Sequence, residues 1–149
     1  WSLLHFSCSR GFLDITRMLL EAGANPLTAV DKRGKTCLHV AIERDARDII
    51  ALLLDRNSVQ QWPRRSNLTL GQTAARAGRT VAMQLLLLKG LDPNERGSQG
   101  ETPLHCAASR HGHHRVIEVL LRHGADVSAR EEWAGRTPLH YACQGGSLK

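Results

Sequence analysis

The chain has 149 residues, of which 42% are hydrophobic, and 20 Lys and Arg against 14 Asp and Glu give it a formal charge of +6. This size suffices for one compact unit with a continuous core, and no apolar run approaches the roughly 18 residues that would cross a bilayer. The basic excess favours an acidic partner and says nothing about the fold.

One motif occurs five times along the chain. Two copies are degraded, SLLHFSCSRG from Ser2 and TLGQTAARAG from Thr69, and three are close to one another: GKTCLHVAIERD from Gly34, GETPLHCAASRHG from Gly100 and GRTPLHYACQGG from Gly135. One equivalent position recurs at spacings of 34, 33, 33 and 35 residues, at His5, His39, Gln72, His105 and His140. A second series keeps the same register, at Gly23, Asn57, Gly90 and Gly124. Two series in register indicate a structural repeat.

Each copy predicts a short helix, a turn and a longer amphipathic helix, and the residue of the second series marks the end of that longer helix. In chain order the turns are predicted at Gly11, Asp45, Gly78 and Gly112. We predict one domain over 1–149, with repeats at 1–30, 31–63, 64–96, 97–130 and a partial repeat at 131–149. Because the last repeat is incomplete, we expect the chain to be a fragment of a larger protein.

The ends and the buried faces of these helices can also be predicted. Thr102 and Thr137 are suited to cap a helix, Pro103 and Pro138 to its first turn, and Gly124 to a left-handed stop. One leucine recurs on each second helix and is predicted to be buried against neighbouring repeats: Leu20, Leu54, Leu87 and Leu121.

The segment SVQQWPRRSNLTLG, from Ser58, departs from this pattern, because Asn67 and Leu70 replace the usual glycine and proline. Trp62 and Trp133 lie in irregular segments. Both an exposed contact role and packing within a loop remain open for these two tryptophans. An extra residue at Glu132 to Ala134 lengthens the last copy.

The strings TPLHCAA, GHHRVIEVLLRHGADVSA and GRTPLHYA resemble the signature of the ankyrin repeat family. This resemblance implies an all-α, ankyrin-repeat solenoid of helix-turn-helix units, with projecting finger turns and a concave face. It also implies that four histidines are structural and tie each turn to the next finger: His5, His39, His105 and His140.

Nothing in the sequence indicates catalysis, since it has no nucleophile elbow, phosphate-binding loop or dinucleotide fingerprint. We therefore expect no enzymatic activity and no cofactor. His111, His113 and His114 are the strongest candidate for a metal site, but no acidic second shell accompanies them, and we predict no metal. The four cysteines form no C-x-x-C pair, which favours reduced thiols and an intracellular protein of the cytoplasm, the nucleus or both.

The resemblance implies that a partner contacts the fingers and the residues that close each first helix. The partner-binding residues predicted in this way are Arg10, Lys32, Arg33, Lys35, Arg44, Arg65, Arg76, Arg110, Trp133 and Arg136. Arginine binds carboxylates and phosphates through two parallel hydrogen bonds. An alternative is that these charges belong to an ordinary solvated face.

The favoured function is that of a protein–protein interaction module, a scaffold or adaptor, which binds an acidic or phosphorylated segment of a partner protein. The alternative is nucleic-acid or oligonucleotide binding on the same basic face. We expect neither membrane insertion nor a small-molecule substrate. The inhibitors of Rel-type factors within this family are disfavoured, because they present acidic surface to a basic segment.

Two local motifs suggest covalent modification. Arg64, Arg65 and Ser66 resemble a site for a basophilic kinase, and Asn94 resembles the repeat asparagine that asparaginyl hydroxylases modify.

Overall fold

A computed structural model describes residues 1–64, 66–111 and 113–145. The helices in these ranges are α1 (Leu3–Arg10), α2 (Leu13–Glu21), α3 (Cys37–Glu43), α4 (Arg47–Arg56), α5 (Leu70–Ala77), α6 (Thr80–Leu88), α7 (Pro103–Ala108), α8 (His114–Arg122) and α9 (Pro138–Gln144), with a 3-10 helix at Val59–Gln61. Over the same ranges there is no β-strand, only an isolated bridge between Val30 and Thr36. The predicted all-α fold is confirmed.

The helices form a stack of antiparallel pairs in two layers. The first helices contact one another in the order α1, α3, α5, α7 and α9, and the second helices in the order α2, α4, α6 and α8. A finger, which here means the turn that leads from one second helix into the next first helix, separates successive pairs. Each finger takes the number of the repeat whose first helix follows it, so the second finger precedes α3 and the fifth precedes α9. The predicted solenoid of helix-turn-helix units is confirmed. No helix within the described ranges has the length and apolar character that a membrane span requires.

The core lies between the two layers and includes fully buried Ile42, Leu53 and Met83. Three of the four predicted leucines are buried, namely Leu20, Leu54 and Leu87. The prediction for Leu121 is wrong, because 43% of this residue is exposed. α2, α4 and α6 are each covered by the second helix that follows, whereas no second helix follows α8 among the described residues.

Each first helix begins with a capping residue that bonds the side chain three positions later. At α3, the hydroxyl of Thr36 lies 2.8 Å from Nδ1 of His39, and the backbone N–H of Thr36 donates to the same nitrogen at 3.2 Å. The predicted caps at Thr102 and Thr137 show the same pair of contacts. Satisfying the free N–H groups at a helix start stabilises it by about 1 kcal/mol.

The predicted turns have left-handed backbone where the structure describes them. Gly11 and Gly78 have φ values of 72° and 68°, and Asp45 takes the same conformation at 58°. Gly124 has the predicted left-handed stop, with φ 87°. The predicted turn at Gly112 lies outside the described residues.

The third repeat compensates for a lost leucine. In the repeat register Gly71 stands where other copies have Leu38 or Leu104. A Cβ atom on Gly71 would lie 2.5 Å from Oε1 of Glu95, so the carboxylate fills the space of the missing side chain. The backbone N–H of Gly71 donates to this oxygen at 2.9 Å, and the hydroxyl of Thr69 donates to it as well. Burial raises the pKa of the Glu95 carboxyl above its ordinary value.

A second compensation involves Gln72, which replaces the motif histidine. A Cβ atom on Gly97 would lie 2.3 Å from Nε2 of Gln72, so the glycine leaves room for this amide in the position that it occupies. The departures of the third repeat are therefore matched between its own first helix and the finger that follows.

Candidate partner-binding surface

Side chains at the motif position fix each finger to the preceding first helix. Nε2 of His5 lies 3.0 Å from the carbonyl oxygen of Lys35, and Nε2 of His39 lies 3.1 Å from that of Leu68. Because a backbone N–H donates to Nδ1 in each ring, Nε2 carries the proton and donates to the carbonyl. The predicted structural role of these two histidines is confirmed.

The next two repeats make the same hydrogen bond to a finger carbonyl, although the third uses an amide instead of an imidazole. Nε2 of Gln72 donates to the carbonyl oxygen of Glu101 at 2.8 Å, and Nε2 of His105 lies 3.0 Å from that of Arg136. An amide can therefore replace the imidazole, since it also offers one acceptor and one donor. The four contacts hold the fingers, and the candidate binding residues on them, in fixed positions.

His39 is held in its neutral form. Burial lowers its pKa from 6.5 to about 4, against the opposing effect of its hydrogen bond to the Leu68 carbonyl. Protonation of this ring would thus oppose folding.

Four arginines close the first helices and form a basic row. They are exposed, one on each of four successive pairs: Arg10 and Arg76 in the last turns of α1 and α5, and Arg44 and Arg110 just after α3 and α7. The guanidinium of Arg10 lies 5.5 Å from the ring centre of Phe6. Since α1, α3, α5 and α7 contact one another in sequence, the row runs along the stack.

The second finger adds charge beside the row. The carboxylate of Asp31 accepts hydrogen bonds at 2.8 Å from the backbone N–H groups of Arg33 and Lys35, and this shapes the turn. Lys32 and Arg33 are exposed, whereas Lys35 is already paired with Glu43.

A basic groove of about 690 Å³ lies between the fingers and the first helices. Its lining includes Arg33, Lys35, Arg76, Ser66, Glu43 and Glu101. Three of the predicted binding residues are thereby brought together, but the two carboxylates reduce the positive charge there.

The fifth finger presents an aromatic side chain on a rigid turn. The carboxylate of Glu131 accepts hydrogen bonds from the backbone N–H groups of Trp133, Ala134 and Arg136 at 2.7, 2.9 and 3.0 Å. These bonds, first that from Arg136, hold the pKa of Glu131 below its ordinary value. Trp133 is 83% exposed, and the guanidinium of Arg136 lies 6.0 Å from its ring centre.

Sequence reasoning missed two neighbours of the predicted residues. Glu132 shares a hollow with Trp133, and Trp1, which is 68% exposed, lines another with Lys32 and Arg33. In the sequence, the extra residue of the fifth finger could have identified Glu132 as part of this surface.

The two tryptophans that had equal alternatives have different roles. Trp62 is only 4% exposed and packs in the core, so the packing alternative holds for it. Trp133 remains a candidate contact residue. The predicted contact at Arg65 lies outside the described residues.

One histidine of the predicted candidate cluster, His113, makes a structural contact. Nδ1 of His113 lies 3.1 Å from the carbonyl oxygen of Ala75, and a Cβ atom on Gly78 would lie 2.7 Å from Nε2 of the same ring. Across residues 1–64, 66–111 and 113–145, no group of three or more His, Cys, Asp or Glu side chains is placed to hold a metal ion.

A family model described as ankyrin repeats, in three copies, matches residues 1–62 and 71–149. The chain belongs to the ankyrin repeat family. The matched ranges omit 63–70, where the finger that leads into the third repeat departs from the ankyrin pattern.

Curated ankyrin proteins from distant organisms resemble the chain. It is 32% identical to the NF-kappa-B inhibitor cactus of Drosophila melanogaster, over 86% of this chain and 25% of cactus. It is 33% identical to the B-cell lymphoma 3 protein homolog of Mus musculus, over 97% of this chain and 33% of that protein. It is 34% identical to the ankyrin repeat domain-containing protein SAT10 of Stachybotrys chartarum, over 82% of this chain and 6% of that protein.

The chain thus spans a third or less of these three relatives, so the likeness concerns the repeats and not the whole proteins. Ankyrin repeat proteins act in protein–protein interaction, and cactus is named for its inhibition of another protein. A shared repeat fold does not by itself specify what the exposed surface binds.

Proposed function

We propose that this chain is a protein-interaction module, a scaffold or adaptor, that binds an acidic or phosphorylated segment of a partner along its basic row. The observation that carries the proposal is the exposure of Arg10, Arg44, Arg76 and Arg110 at the ends of four stacked helices. The basic groove and the second finger extend this surface.

The spacing of the row suggests the form of the partner segment. Helices that pack side by side have axes about 8–10 Å apart, and an extended chain advances about 3.3 Å per residue. An extended segment across the stack therefore passes one arginine for about every three of its residues. We expect the best ligand to carry a carboxylate or phosphate at every third position.

Trp133 can anchor one end of such a segment. An exposed aromatic side chain on a rigid turn binds apolar groups with little loss of side-chain entropy. Arg136 adds a cation beside the ring, and Glu132 adds an acid. We therefore expect a partner group that is apolar or of mixed character at this end, and acidic groups along the row.

Nucleic acid fits this surface less well. Binding of a single strand usually combines basic side chains with interleaved aromatic platforms. Trp62 is buried, while Trp1 lies on the first repeat and Trp133 on the fifth finger. The arginines of the row have no tryptophan between them, which favours a peptide.

We further propose an intracellular location, in the cytoplasm, the nucleus or both, and no catalytic role for these residues. Free thiols at Cys8, Cys37, Cys106 and Cys143 agree with a reducing compartment. The single-domain division of the chain and the repeat boundaries given above also stay predictions.

The test compares two charge-reversed variants with the same change of net charge. In the row variant the four arginines of the row, Arg10, Arg44, Arg76 and Arg110, become Glu, and the Lys35–Glu43 pair stays intact. In the control variant four exposed arginines of the second helices become Glu instead: Arg17, Arg56, Arg115 and Arg122. The probe is a fluorescent extended peptide with Glu at every third position, and circular dichroism verifies that both variants fold.

We expect the row variant to bind the acidic peptide at least about tenfold more weakly than the unaltered chain, and the control variant to bind nearly as well. Equal weakening of both variants would mean a diffuse charge effect and would refute a site on the row. A second peptide, with Lys at the same positions, tests whether the surface binds a basic segment instead of an acidic one. The likeness to cactus is the reason for including it. Preference for a single-stranded oligonucleotide, with a steep salt dependence, would support the alternative function.

A further inference from the structure

Ser66 lies in an irregular segment next to the proposed binding surface. It follows Arg64 and Arg65 in sequence, between the 3-10 helix and α5, where the described residues form neither helix nor strand. Ser66 is half-buried, and its Oγ accepts a hydrogen bond from the backbone N–H of Leu68 at 3.3 Å. Binding and processing sites are common in surface segments that lie outside helices and strands.

The same serine lines the basic groove, together with Arg33 and Arg76. Among the described residues neither arginine forms an ion pair. Lys35 also faces the groove but is paired with Glu43, and Glu101 contributes a further carboxylate. Arg33 and Arg76 are thus the groups available to an anion that enters from Ser66.

We propose that Ser66 is a phosphorylation site for a basophilic serine kinase, and that its phosphate occupies the basic groove and excludes an acidic partner. The second half of this inference rests on the proposed function. In the reaction, Oγ of Ser66 bonds to the γ-phosphorus of ATP, the bond from that phosphorus to the ADP oxygen breaks, and the hydroxyl proton passes to the base of the kinase.

The charge of the product explains the blocking effect. A phosphoserine carries about −1.5 to −2 charges at pH 7 and offers three acceptor oxygens, which arginine binds well. Because the phosphate is tethered to the groove, its effective concentration there is of millimolar order, and a free acidic segment must displace it. The repulsion from Glu43 and Glu101 acts on the tethered phosphate and the free segment alike.

The first experiment tests the modification. The folded chain is incubated with the catalytic subunit of a basophilic serine kinase and Mg-ATP, and the site is located by peptide mass spectrometry. We expect one phosphoryl group on Ser66, absent from Ser66→Ala and strongly reduced in Arg64→Ala. A folded chain that remains unmodified at Ser66 would overturn the assignment.

The second experiment tests the position of the phosphate without a partner. Phosphoserine is incorporated genetically at position 66 or, as a control, at exposed Ser128, which lines an apolar hollow and not the groove. We expect ³¹P NMR titration to show a phosphate pKa lower by roughly 0.5–1 unit at 66 than at 128. Arg76→Gln should remove most of that difference. Equal pKa values at the two positions would refute occupation of the groove.

The third measurement concerns the partner. Phosphoserine at 66 should weaken binding of the acidic peptide at least about fivefold, and phosphoserine at 128 should not. If the unmodified chain binds no acidic peptide, the proposed function fails, while the NMR titration still decides whether the phosphate lies in the groove. If the peptide binds equally well with and without phosphate at 66, the blocking role is wrong.

Discussion

Replacement of His39 by glutamine should make the fold resist acid. The third repeat already uses an amide at this position, where Gln72 accepts from the backbone N–H of Thr69 at 3.0 Å and donates to the carbonyl of Glu101 at 2.8 Å. Glutamine at 39 should therefore keep both hydrogen bonds of the imidazole. The glutamine side chain does not take up a proton in this pH range. The replacement therefore removes the loss of folding stability that protonation of His39 causes at low pH.

The size of the effect follows from the pKa of His39, which falls from 6.5 in the unfolded chain to about 4 in the fold. The unfolded state binds the proton first, so the stability contributed by the neutral ring is present above pH 6.5 and is lost as the pH falls through about 4. At about 1.4 kcal/mol per pKa unit the full loss is about 3 kcal/mol, of which about 2 kcal/mol falls between pH 7 and pH 5.

The assay is urea unfolding of the unaltered chain and of His39→Gln at pH 7 and pH 5, followed by circular dichroism and by tryptophan fluorescence. Each protein loses some free energy of unfolding between pH 7 and pH 5, and the contribution of groups that titrate in both proteins cancels when the two losses are subtracted. The unaltered chain should lose about 2 kcal/mol more than His39→Gln. His39→Ala provides the control, because it loses the hydrogen bonds at both pH values. Equal acid losses in the unaltered chain and His39→Gln would refute the reasoning.

Three further predictions concern stability and thiol reactivity. Glu95→Gln should stabilise the fold at pH values above the ordinary carboxyl pKa of 4.5, with the gain shrinking as the pH falls towards that value, because burial raises the pKa of this carboxyl and so penalises its charged form; urea midpoints across pH check the trend. Iodoacetamide should alkylate exposed Cys143 well before Cys106, whose pKa burial raises to about 12, as peptide mass mapping would show. Leu53→Ala should cost about 2–5 kcal/mol and Leu121→Ala under about 1 kcal/mol in thermal unfolding, because only Leu53 is fully buried.

The fold was predictable because its signals are local and occur several times. Within one repeat, a capping threonine and the histidine three positions later bond to each other at the helix start, and a glycine takes the left-handed conformation at the turn. The same residues recur in register in other repeats, which supports the assignment. Leu121 shows where this approach fails. Its burial depends on a neighbouring helix and not on its own repeat, so the pattern alone gives the wrong result.

The candidate site was predictable in part. Repeat register places Arg10, Arg44 and Arg110 at helix ends, and the structure finds them exposed there. The pairing of Lys35 with Glu43 was not predictable, because it depends on side-chain directions across a finger and a helix. Trp62 could not be assigned either, since its burial follows from an irregular segment that has no counterpart in the other repeats.

The paired compensations of the third repeat restrict how its sequence can change. Leucine at Gly71 would collide with Glu95, and a side chain at Gly97 would collide with Gln72, so a return to the family pattern at either glycine alone would displace a buried, hydrogen-bonded side chain. A substitution at either glycine therefore costs less stability once its counterpart has changed. Gly71 and Glu95 both lie in the third repeat, whereas Gln72 and Gly97 lie in adjoining repeats. An exchange of the third repeat for a consensus one must therefore include position 97 of the next repeat.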